Sequence, residues 1–548
     1  MDTKIISVAA KTSKIPLEST GKLLFDRIST FENTAVAFVS HQTFYSLNST
    51  LQLQFEVKSG VTCTYGNLAI NSLNLARNLR NSVGIVKNDH LAIISENSHK
   101  IWVAALAGLY LAAPFHLLNP GFTTYELKKY LMMSEPKVVF CSKQVLLKLQ
   151  VVRDECTFIE AVVLFDDEDD TSKDVILYKD LIQEGCDGKC FEMEEVDDLD
   201  NQVAYIANSS GTTGLPKGVM VTHANLRLNM SHVIDRELYP FEDNSVVLHV
   251  IPFYHVHGCG VCYCGLYRGL KLLVMDQFEP KSYLHNIQEH KVSTLFIVPT
   301  LADFLANSPL LDTYDLSSVE QIYSAAAVLK TTTHQKVLKR FNIKSVRQIY
   351  GATEIGVAVF MTPTASFKPG STGKVTPGVS VKIVDPATGE SLGCNQSGEI
   401  CVKTATMKGY LNDPENTRTS FDADGFVRTG DVGYYDEEHH FYIVDRLKDL
   451  IKYKAFQVPP LEIEEILLLH PGVGDAAIVG KPDERCGELA VAFVVREEGV
   501  EVEESEVVDF VAKYLSVEKR LHGGVRFVGE IPRNGVGKIL RKELRELL

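Results

Sequence analysis

A stretch rich in glycine and hydroxyl side chains, SSGTTGLPKG, occupies residues 209–218. Its glycines let the backbone approach a ligand closely, its hydroxyls can donate to oxygens, and Lys217 adds a mobile positive charge. This combination predicts a phosphate-binding loop and makes a merely flexible surface hairpin the weaker alternative. The candidate phosphate-binding residues are Ser209, Ser210, Gly211, Thr212, Thr213, Gly214 and Lys217.

The loop differs from the Walker type, in which GxxxxGK is followed by Ser or Thr and then by a helix. Here Lys217 is followed by Gly218 and the apolar VMVTH. This order predicts a loop between two strands, with a helix beginning only near Thr222 or His223. Such a loop can surround the β- and γ-phosphates of ATP and release them together as pyrophosphate.

Four further places carry polar residues at the ends of apolar runs. They are Thr353 and Glu354 in IYGATE, Asp431 in a Gly-Asp turn, Arg446 after FYIVD, and Lys538 in GVGK before a basic helix. On residue type alone, each could have a structural role instead of a role in binding or catalysis. Thr353 and Glu354 could form a cap, Asp431 a turn and Arg446 a surface salt bridge, and Lys538 could be a solvated lysine.

Two histidines, His255 and His257, lie in the otherwise apolar PFYHVHGCG, followed by three cysteines within a few residues. The pattern HxHxCxxCxC matches no common closed zinc site, so a metal site is the weaker alternative. The apolar neighbours of these histidines indicate that the segment is buried.

The first half of the chain alternates apolar strand-like runs with helical segments. HLAIISE precedes a helix from Ile101, and KVVFCS precedes QVLLKLQ. This alternation predicts an α/β fold with largely parallel sheets. The apolar run at residues 101–118 approaches the length of a membrane span, but Pro114 and His116 interrupt it, which favours a buried helix leading into a short strand.

A domain boundary is expected near Asp445. The following hundred residues show their own alternation of strands and helices, which predicts a small α+β domain with its own core. The chain is therefore divided into a large N-terminal domain, 1–445, of mixed sheets flanked by helices, and a C-terminal domain, 446–548. The polar segment 38–60 is interpreted as a hairpin with an inserted loop.

Composition limits the class of protein. The chain of 548 residues is 45% hydrophobic and carries a net charge of -15, which argues against a surface built to bind nucleic acid or anionic membranes. Eleven cysteines without regular spacing do not indicate a disulfide framework, and the N-terminus lacks a signal-peptide core. We expect a cytoplasmic monomer; a peroxisomal location is the alternative, although RELL is not an SKL-like ending.

The motifs together resemble the adenylate-forming enzymes, which comprise acyl-CoA synthetases, peptide synthetase adenylation domains and beetle luciferases. The resemblance covers essentially the whole chain and rests on SSGTTGLPKGV, IYGATE, TGD, VDRLKDLIKYK and NGVGKILRK. Insect luciferase-like fatty acyl-CoA synthetases and plant coumarate CoA ligases are the most similar groups. The resemblance implies ATP, Mg²⁺ and coenzyme A as cofactor and co-substrates.

The resemblance also implies a role for each matching residue. For the nucleotide, it implies that Glu354 binds Mg²⁺, that Thr353 contacts the α-phosphate, that Tyr350, Gly351 and Ala326 form the adenine pocket, that Asp431 binds the ribose hydroxyls, and that Arg446 binds the ribose or phosphate. For the acid, it implies that His255, His257 and Val357 border the substrate. It further implies that Lys448 is the hinge and that Lys538 binds the charge that develops during adenylation.

The chain departs from the family pattern in three segments. SAAAV at residues 324–328 replaces SGGAP, and Ala455 replaces the glycine of YKGFQV; each added methyl narrows a place where backbone approaches a ligand. The change at SAAAV puts normal ATP affinity in question, and the change at Ala455 puts the CoA-accepting conformation in question. Val357 stands where beetle luciferases typically have Ser, and an aliphatic residue there is more typical of a fatty acyl-CoA synthetase.

We therefore expect an ATP-dependent acid:CoA ligase acting on a medium- or long-chain fatty acid. The first alternative is a luciferase-type monooxygenase, in which O₂ attacks the adenylate. The second is a non-catalytic sensor of adenylates or acyl groups, which the intact Thr353, Glu354, Asp431, Arg446 and Lys538 disfavour.

Overall fold

The structure is a computed structural model. It describes residues 5–9, 18–30, 36–40, 62–166, 175–183, 191–209, 217–242, 245–364, 367–454, 456–534 and 537–548. The loop residues Ser210, Gly211, Thr212, Thr213 and Gly214, the departure at Ala455 and most of the segment 38–60 lie outside these ranges.

The strands are short, and many are buried on both faces, as apolar runs such as LAII and VVFC predict. In chain order they are β1 (Ile5–Ser7), β2 (Val36–Ser40), β3 (Thr62–Thr64), β4 (Leu91–Ile94), β5 (Phe115–Leu118), β6 (Val138–Cys141), β7 (Ala161–Leu164), β8 (Ile176–Leu177), β9 (Val203–Ser209), β10 (Lys217–Thr222), β11 (Val246–His249), β12 (Lys271–Val274), β13 (Thr294–Ile297), β14 (Gln321–Ser324), β15 (Val346–Ala352), β16 (Gly356–Met361), β17 (Lys374–Val375), β18 (Ser380–Val384), β19 (Gly398–Lys403), β20 (Gly409–Tyr410), β21 (Val427–Tyr435), β22 (Phe441–Arg446), β23 (Ile451–Tyr453), β24 (Phe456–Val458), β25 (Val473–Asp483), β26 (Gly487–Arg496) and β27 (Val525–Phe527).

The helices begin at side-chain caps in several places, for example at Thr64, Thr123 and Thr222, whose hydroxyls accept from backbone N–H groups of the first turn. The helices are α1 (Thr20–Ser29), α2 (Tyr65–Asn78), α3 (His99–Tyr110), α4 (Thr124–Ser134), α5 (Lys143–Val152), α6 (Tyr178–Ile182), α7 (His223–Val233), α8 (Val256–Arg268), α9 (Pro280–Glu289), α10 (Pro299–Asn307), α11 (Thr331–Phe341), α12 (Pro414–Ser420), α13 (Pro460–Leu467), α14 (Glu504–Tyr514) and α15 (Arg541–Glu546).

Two large sheets dominate the part of the chain before β23. One has the strand order β20-β10-β9-β5-β4-β6-β7-β8 and the other β17-β16-β15-β14-β13-β11-β12-β2-β3. Both are parallel at the centre and antiparallel toward an edge, where β10 pairs with β9 and β16 with β15. This mixed α/β architecture confirms the predicted fold class.

One apolar core joins the two large sheets. It includes Phe115 and Tyr205 from the first sheet, Val247 and Tyr323 from the second, and the buried helix α3. The apolar run from Ile101 is thus a buried helix followed by strand β5, as predicted. Among the described residues, no helix combines the length and apolar character needed to cross a bilayer.

Two smaller sheets complete the molecule. An antiparallel sheet has the order β1-β18-β19-β21-β22, and the C-terminal sheet has the order β24-β23-β26-β25 with β27 parallel to β26. The C-terminal sheet packs with α13 and α14 around its own apolar core. The structure therefore has a large N-terminal and a small C-terminal domain, as expected; the exact boundary at 445/446 stays a prediction.

Candidate active site

The proposed phosphate loop connects the paired strands β9 and β10. Lys217 pairs with Ser209 across the hairpin, and α7 follows with Thr222 as its N-cap, so the strand–loop–strand–helix order agrees with the sequence prediction. The Lys217 side chain is buried and donates to Asn416 Oδ1 at 2.8 Å. Its ammonium also lies 4.5 Å from the centre of the Tyr410 ring. The lysine is thereby held at the base of the loop.

Glu354 lies in the turn between β15 and β16, immediately after Thr353. Its Oε1 accepts a hydrogen bond from Ser209 Oγ at 2.7 Å and another from the Tyr410 hydroxyl at 3.1 Å. The structure thus brings the start of the phosphate loop into contact with the second motif, across 145 residues of sequence.

Gly351 is required by close backbone packing in the same hairpin. A Cβ at this position would lie 2.3 Å from the carbonyl oxygen of Gly356 and 2.5 Å from that of Val357. Because real side chains do not tolerate such distances, the glycine fixes the shape of the turn that carries Thr353 and Glu354.

A second polar cluster joins Asp431, Arg446 and Tyr350. Asp431 and Arg446 are register partners on β21 and β22, and Arg446 Nε lies 2.7 Å from Asp431 Oδ1. The Tyr350 hydroxyl donates to Asp431 Oδ2 at 2.7 Å, and its ring stacks on Phe360 with centroids 5.0 Å apart. Burial and the neighbouring Asp431 raise the pKa of Tyr350, so this phenol stays a donor.

Lys538 of the small domain lies within the electrostatic reach of this cluster. Burial and the Arg446 cation lower the pKa of Lys538 to about 8, although Asp431 opposes the shift. The preceding Gly537 contacts the large domain, because a Cβ on it would lie 2.6 Å from Thr300 Oγ1. The loop of Lys538 therefore enters the site formed by the large domain. Lys448 lies near the same charges, and burial lowers its pKa.

His255 and His257 lie at the start of α8 and are neutral near pH 7. Burial and the Lys538 cation lower the pKa of His255 to about 4, and burial with the neighbouring His255 and His249 lowers that of His257 to about 3. Within the described residues, neither ring nitrogen of His257 has a hydrogen-bond partner. Across the part of the chain that the structure describes, no three or more His, Cys, Asp or Glu side chains are grouped so that they could hold a metal ion.

A small apolar cavity lies beside His257. Its walls include Asn229, His257, Phe296 and Val357, and its volume is about 30 Å³, room for roughly two water molecules. Val357 closes it against α8, since a Cβ on Gly260 would lie only 2.6 Å from Val357 Cγ2.

Ala326 follows the end of β14 and has a positive φ of 75°. An L-residue with a side chain pays about 1–2 kcal/mol for this left-handed conformation, whereas glycine adopts it freely. The departure from the family glycine therefore strains the backbone, a consequence that sequence comparison alone did not predict.

Three further residues that contact the candidate site were not predicted from the sequence: Tyr410, Asn416 and Thr300. Asn416 lies in α12 behind an Asp cap and a proline, which predicts a helix but not its contact with Lys217. No local pattern marks Tyr410 or Thr300, because their contacts depend on how the sheets and the domains pack.

Comparison with known proteins identifies the family of the chain. Residues 37–411 match the family described as AMP-binding enzyme, and residues 462–538 match the AMP-binding enzyme C-terminal domain. Fold and site define the class of adenylate-forming enzymes. The chain belongs to the AMP-binding enzyme family.

Three similar proteins illustrate the range of the family. Luciferin 4-monooxygenase of Nipponoluciola cruciata is 41% identical over 89% of this chain and 90% of its own length. The 4-coumarate–CoA ligase 2 of Nicotiana tabacum is 39% identical over 88% of this chain and 89% of its own length. The crystal structure of ATP-bound MatB from Rhodopseudomonas palustris superposes with a TM-score of 0.84 at 28% identity, covering 96% of this chain and 99% of that one.

Proposed function

We propose that the protein is an ATP-dependent acid:CoA ligase that activates a medium- or long-chain fatty acid. The observation that carries the choice of acid is Val357, an aliphatic side chain in the wall of the cavity beside His257 and Phe296. Apolar burial contributes about 25 cal/mol per Å², which suits an alkyl chain. Because the cavity is only about 30 Å³, the walls must move apart to admit the chain.

The chemistry has two half-reactions. A carboxylate oxygen attacks the α-phosphorus of ATP, the bond to the bridging oxygen breaks, and pyrophosphate leaves with that oxygen. The CoA sulfur, having lost its proton, then attacks the acyl carbon, and AMP leaves with the oxygen of the carbon–oxygen bond that breaks. The first step turns a poor electrophile into a mixed anhydride.

The residues around the nucleotide are assigned from their geometry and from the family pattern. Asp431 holds Arg446 and Tyr350, and a carboxylate has about four lone-pair positions, so it can still accept both ribose hydroxyls. The hydrogen bond to Asp431 fixes the Tyr350 ring, whose face away from Phe360 would stack on adenine. Thr353 would donate to the α-phosphate, and residues 209–217 would bind the β- and γ-phosphates.

Glu354 fits a magnesium ligand. In the described residues both of its hydroxyl donors go to Oε1, which leaves Oε2 for a cation. Mg²⁺ commonly binds one or two carboxylates together with substrate phosphates, so a single protein carboxylate suffices. When bound, the ion neutralises charge on the triphosphate.

Lys538 would bind the charge that develops between the carboxylate and the α-phosphate during the first step. We further propose that the small domain, residues 446–548, then rotates about Lys448, withdraws Lys538 and admits the CoA thiol. Support comes from the position of Lys538, whose loop already contacts Thr300 of the large domain.

The luciferase-type reaction is the second candidate function, since a luciferin 4-monooxygenase is among the similar proteins. A luciferyl adenylate would present polar ring atoms, and buried polar atoms without partners cost about 1–3 kcal/mol each. Val357 offers no such partner. The third candidate, a non-catalytic sensor, is disfavoured because Glu354, Asp431 and Lys538 are all present.

A screen of acids of graded chain length tests the proposal. Pyrophosphate release is measured with Mg²⁺ and ATP, with and without CoA, and thioester is detected by mass spectrometry. We expect release that depends on the acid and thioester that depends on CoA. Phosphate release from GTP without acid dependence, or light with luciferin and O₂ but no thioester, would contradict the proposal.

The variant Val357→Ser belongs in the same screen. We expect weaker use of long acids, since an alkyl chain would face a hydroxyl, and a rise in any faint emission with luciferin. If residue 357 only packs, stability falls slightly and the order of preferred acids is unchanged.

A further inference from the structure

The turn that carries Lys538 is held by its own backbone. Arg533 and Ile539 form an antiparallel bridge, and the Asn534 N–H donates to the Lys538 carbonyl at 2.9 Å. The Lys538 N–H donates to Asn534 Oδ1 at 2.9 Å, and Gly537 turns the chain with a φ of 78°. The direction of the Lys538 side chain therefore depends on where this turn is placed.

Arg533 attaches the turn to strand β25. One nitrogen of its guanidinium, Nη1, donates to the carbonyl oxygen of Gly537 at 3.1 Å, immediately before Lys538. The other, Nη2, donates to the two carboxylate oxygens of Asp475 at 3.1 and 2.8 Å. All of these residues belong to the small domain, so this attachment persists when the domain rotates.

Lys330 of the large domain reaches the same carboxylate. Its Nζ lies 3.7 Å from Asp475 Oδ1, and both side chains are 27% exposed. Lys330 is the N-cap residue of α11, four residues after the strained Ala326. It also acts on Glu465 of α13, whose pKa is raised by burial and by neighbouring glutamates while Lys330 opposes that shift. Lys330 of the large domain thus pairs with Asp475 and acts electrostatically on Glu465, both of which belong to the small domain.

This ion pair depends on the orientation of the domains. The Asp475–Arg533 pair lies within one domain, whereas the Lys330–Asp475 pair crosses between the domains and would break in the proposed rotation. A partly exposed ion pair contributes little to the free energy of folding. The same small free energy, when it is present in only one of two conformations, changes their population ratio several-fold.

We propose that Lys330 is a positioning residue for adenylation: through Asp475 and Arg533 it holds the turn of Lys538 in the active site. The expected effect on the two reaction rates rests on the proposed two-step reaction, whereas the expected effect on domain orientation does not. The pair favours the orientation in which Lys538 lies in the site and releases the small domain for the second half-reaction.

The test compares Lys330→Glu, Lys330→Arg and a matched control, Lys336→Glu. Lys336 lies on the same helix, and its Nζ contacts Asn307 within the large domain, so this control makes the same change of charge without touching the domain contact. Lys330→Glu should lower pyrophosphate release about five- to tenfold and leave thioester formation from supplied acyl-AMP unchanged. Lys330→Arg should retain adenylation within about twofold.

A second measurement needs no substrate. Lys538 is half-buried against the large domain, so we expect trypsin to cleave after it faster when the turn leaves the site, and we follow the rate of this cleavage by mass spectrometry as a report of domain orientation. Lys330→Glu should accelerate it several-fold and Lys336→Glu should not. If no acid supports adenylation, the proposed function fails while the cleavage rates still decide the inference. Equal cleavage rates in Lys330→Glu and Lys336→Glu, or equal loss in both half-reactions, would overturn it.

Discussion

At the scale of single residues, the site combines neutral histidines with a lysine of lowered pKa. Burial keeps His255 and His257 uncharged near pH 7. Arg446, Lys448 and Lys538 are cations that interact electrostatically with Asp431. Of these, Lys538 has its pKa lowered to about 8, close enough to neutrality for pH to change its charge.

The first residue-scale prediction concerns pH. A lysine whose pKa is about 8 in the ligand-free site is charged below that pH and neutral above it. If the ammonium assists adenylation, kcat/KM for ATP should fall up to tenfold per pH unit above about 8, because kcat/KM reports the free enzyme. In the complex with ATP, the negative triphosphate raises the pKa of the lysine, so kcat should stay constant up to a higher pH than kcat/KM.

The variant Lys538→Arg provides the control for this profile. A guanidinium stays charged throughout the range, so its kcat/KM, although lower, should not fall between pH 8 and 10. The same flat profile in the unmodified protein would show that the charge of Lys538 does not govern adenylation.

The second residue-scale prediction concerns Ala326. Because its φ is 75°, Ala326→Gly should relieve left-handed strain of about 1–2 kcal/mol, partly offset by the greater entropy of unfolded glycine. We expect a net gain of about 0.5–1 kcal/mol in the urea unfolding of the large domain, and tighter ATP binding by calorimetry where the methyl narrows the adenine pocket.

The neighbouring Ala325 supplies the comparison. It is buried and has no positive φ, so Ala325→Gly should destabilise the protein by about 1 kcal/mol. If Ala326→Gly loses as much stability as Ala325→Gly, the strain at residue 326 does not matter.

At the scale of elements, hairpins place the motifs. β9–β10 carries the proposed phosphate loop, β15–β16 carries Glu354, and β21–β22 pairs Asp431 with Arg446. The sequence predicted the first of these, with its following helix, because glycines, apolar runs and the Thr222 cap are local signals.

Contacts between elements could not be predicted in the same way. Lys217 donates a hydrogen bond to Asn416, which is 199 residues away in the sequence, and Tyr410 donates one to Glu354, which is 56 residues away. These contacts depend on β20 joining the edge of the sheet beside β10, which no local pattern of side chains specifies. The roles of individual residues came from resemblance, whereas the left-handed φ of Ala326 and the ion pair of Lys330 came only from the structure.

At the scale of the whole molecule, the site is divided between two domains. The large domain supplies Glu354, Asp431 and His255, and the small domain supplies Lys538, whose turn contacts Thr300 and is tied through Asp475 to Lys330. In the proposed two-step reaction, rotation of one domain changes such a divided site, so that both half-reactions use the same bound acyl adenylate.

The most direct measurement of this claim separates the half-reactions in Lys538→Ala. Pyrophosphate release from ATP and a fatty acid is measured in one experiment, and thioester formation from supplied acyl-AMP and CoA in another. Because loss of a donor to a developing charge costs on the order of a hundredfold, the first rate should fall by about that factor while the second stays nearly unchanged. An equal loss in both half-reactions would contradict the account.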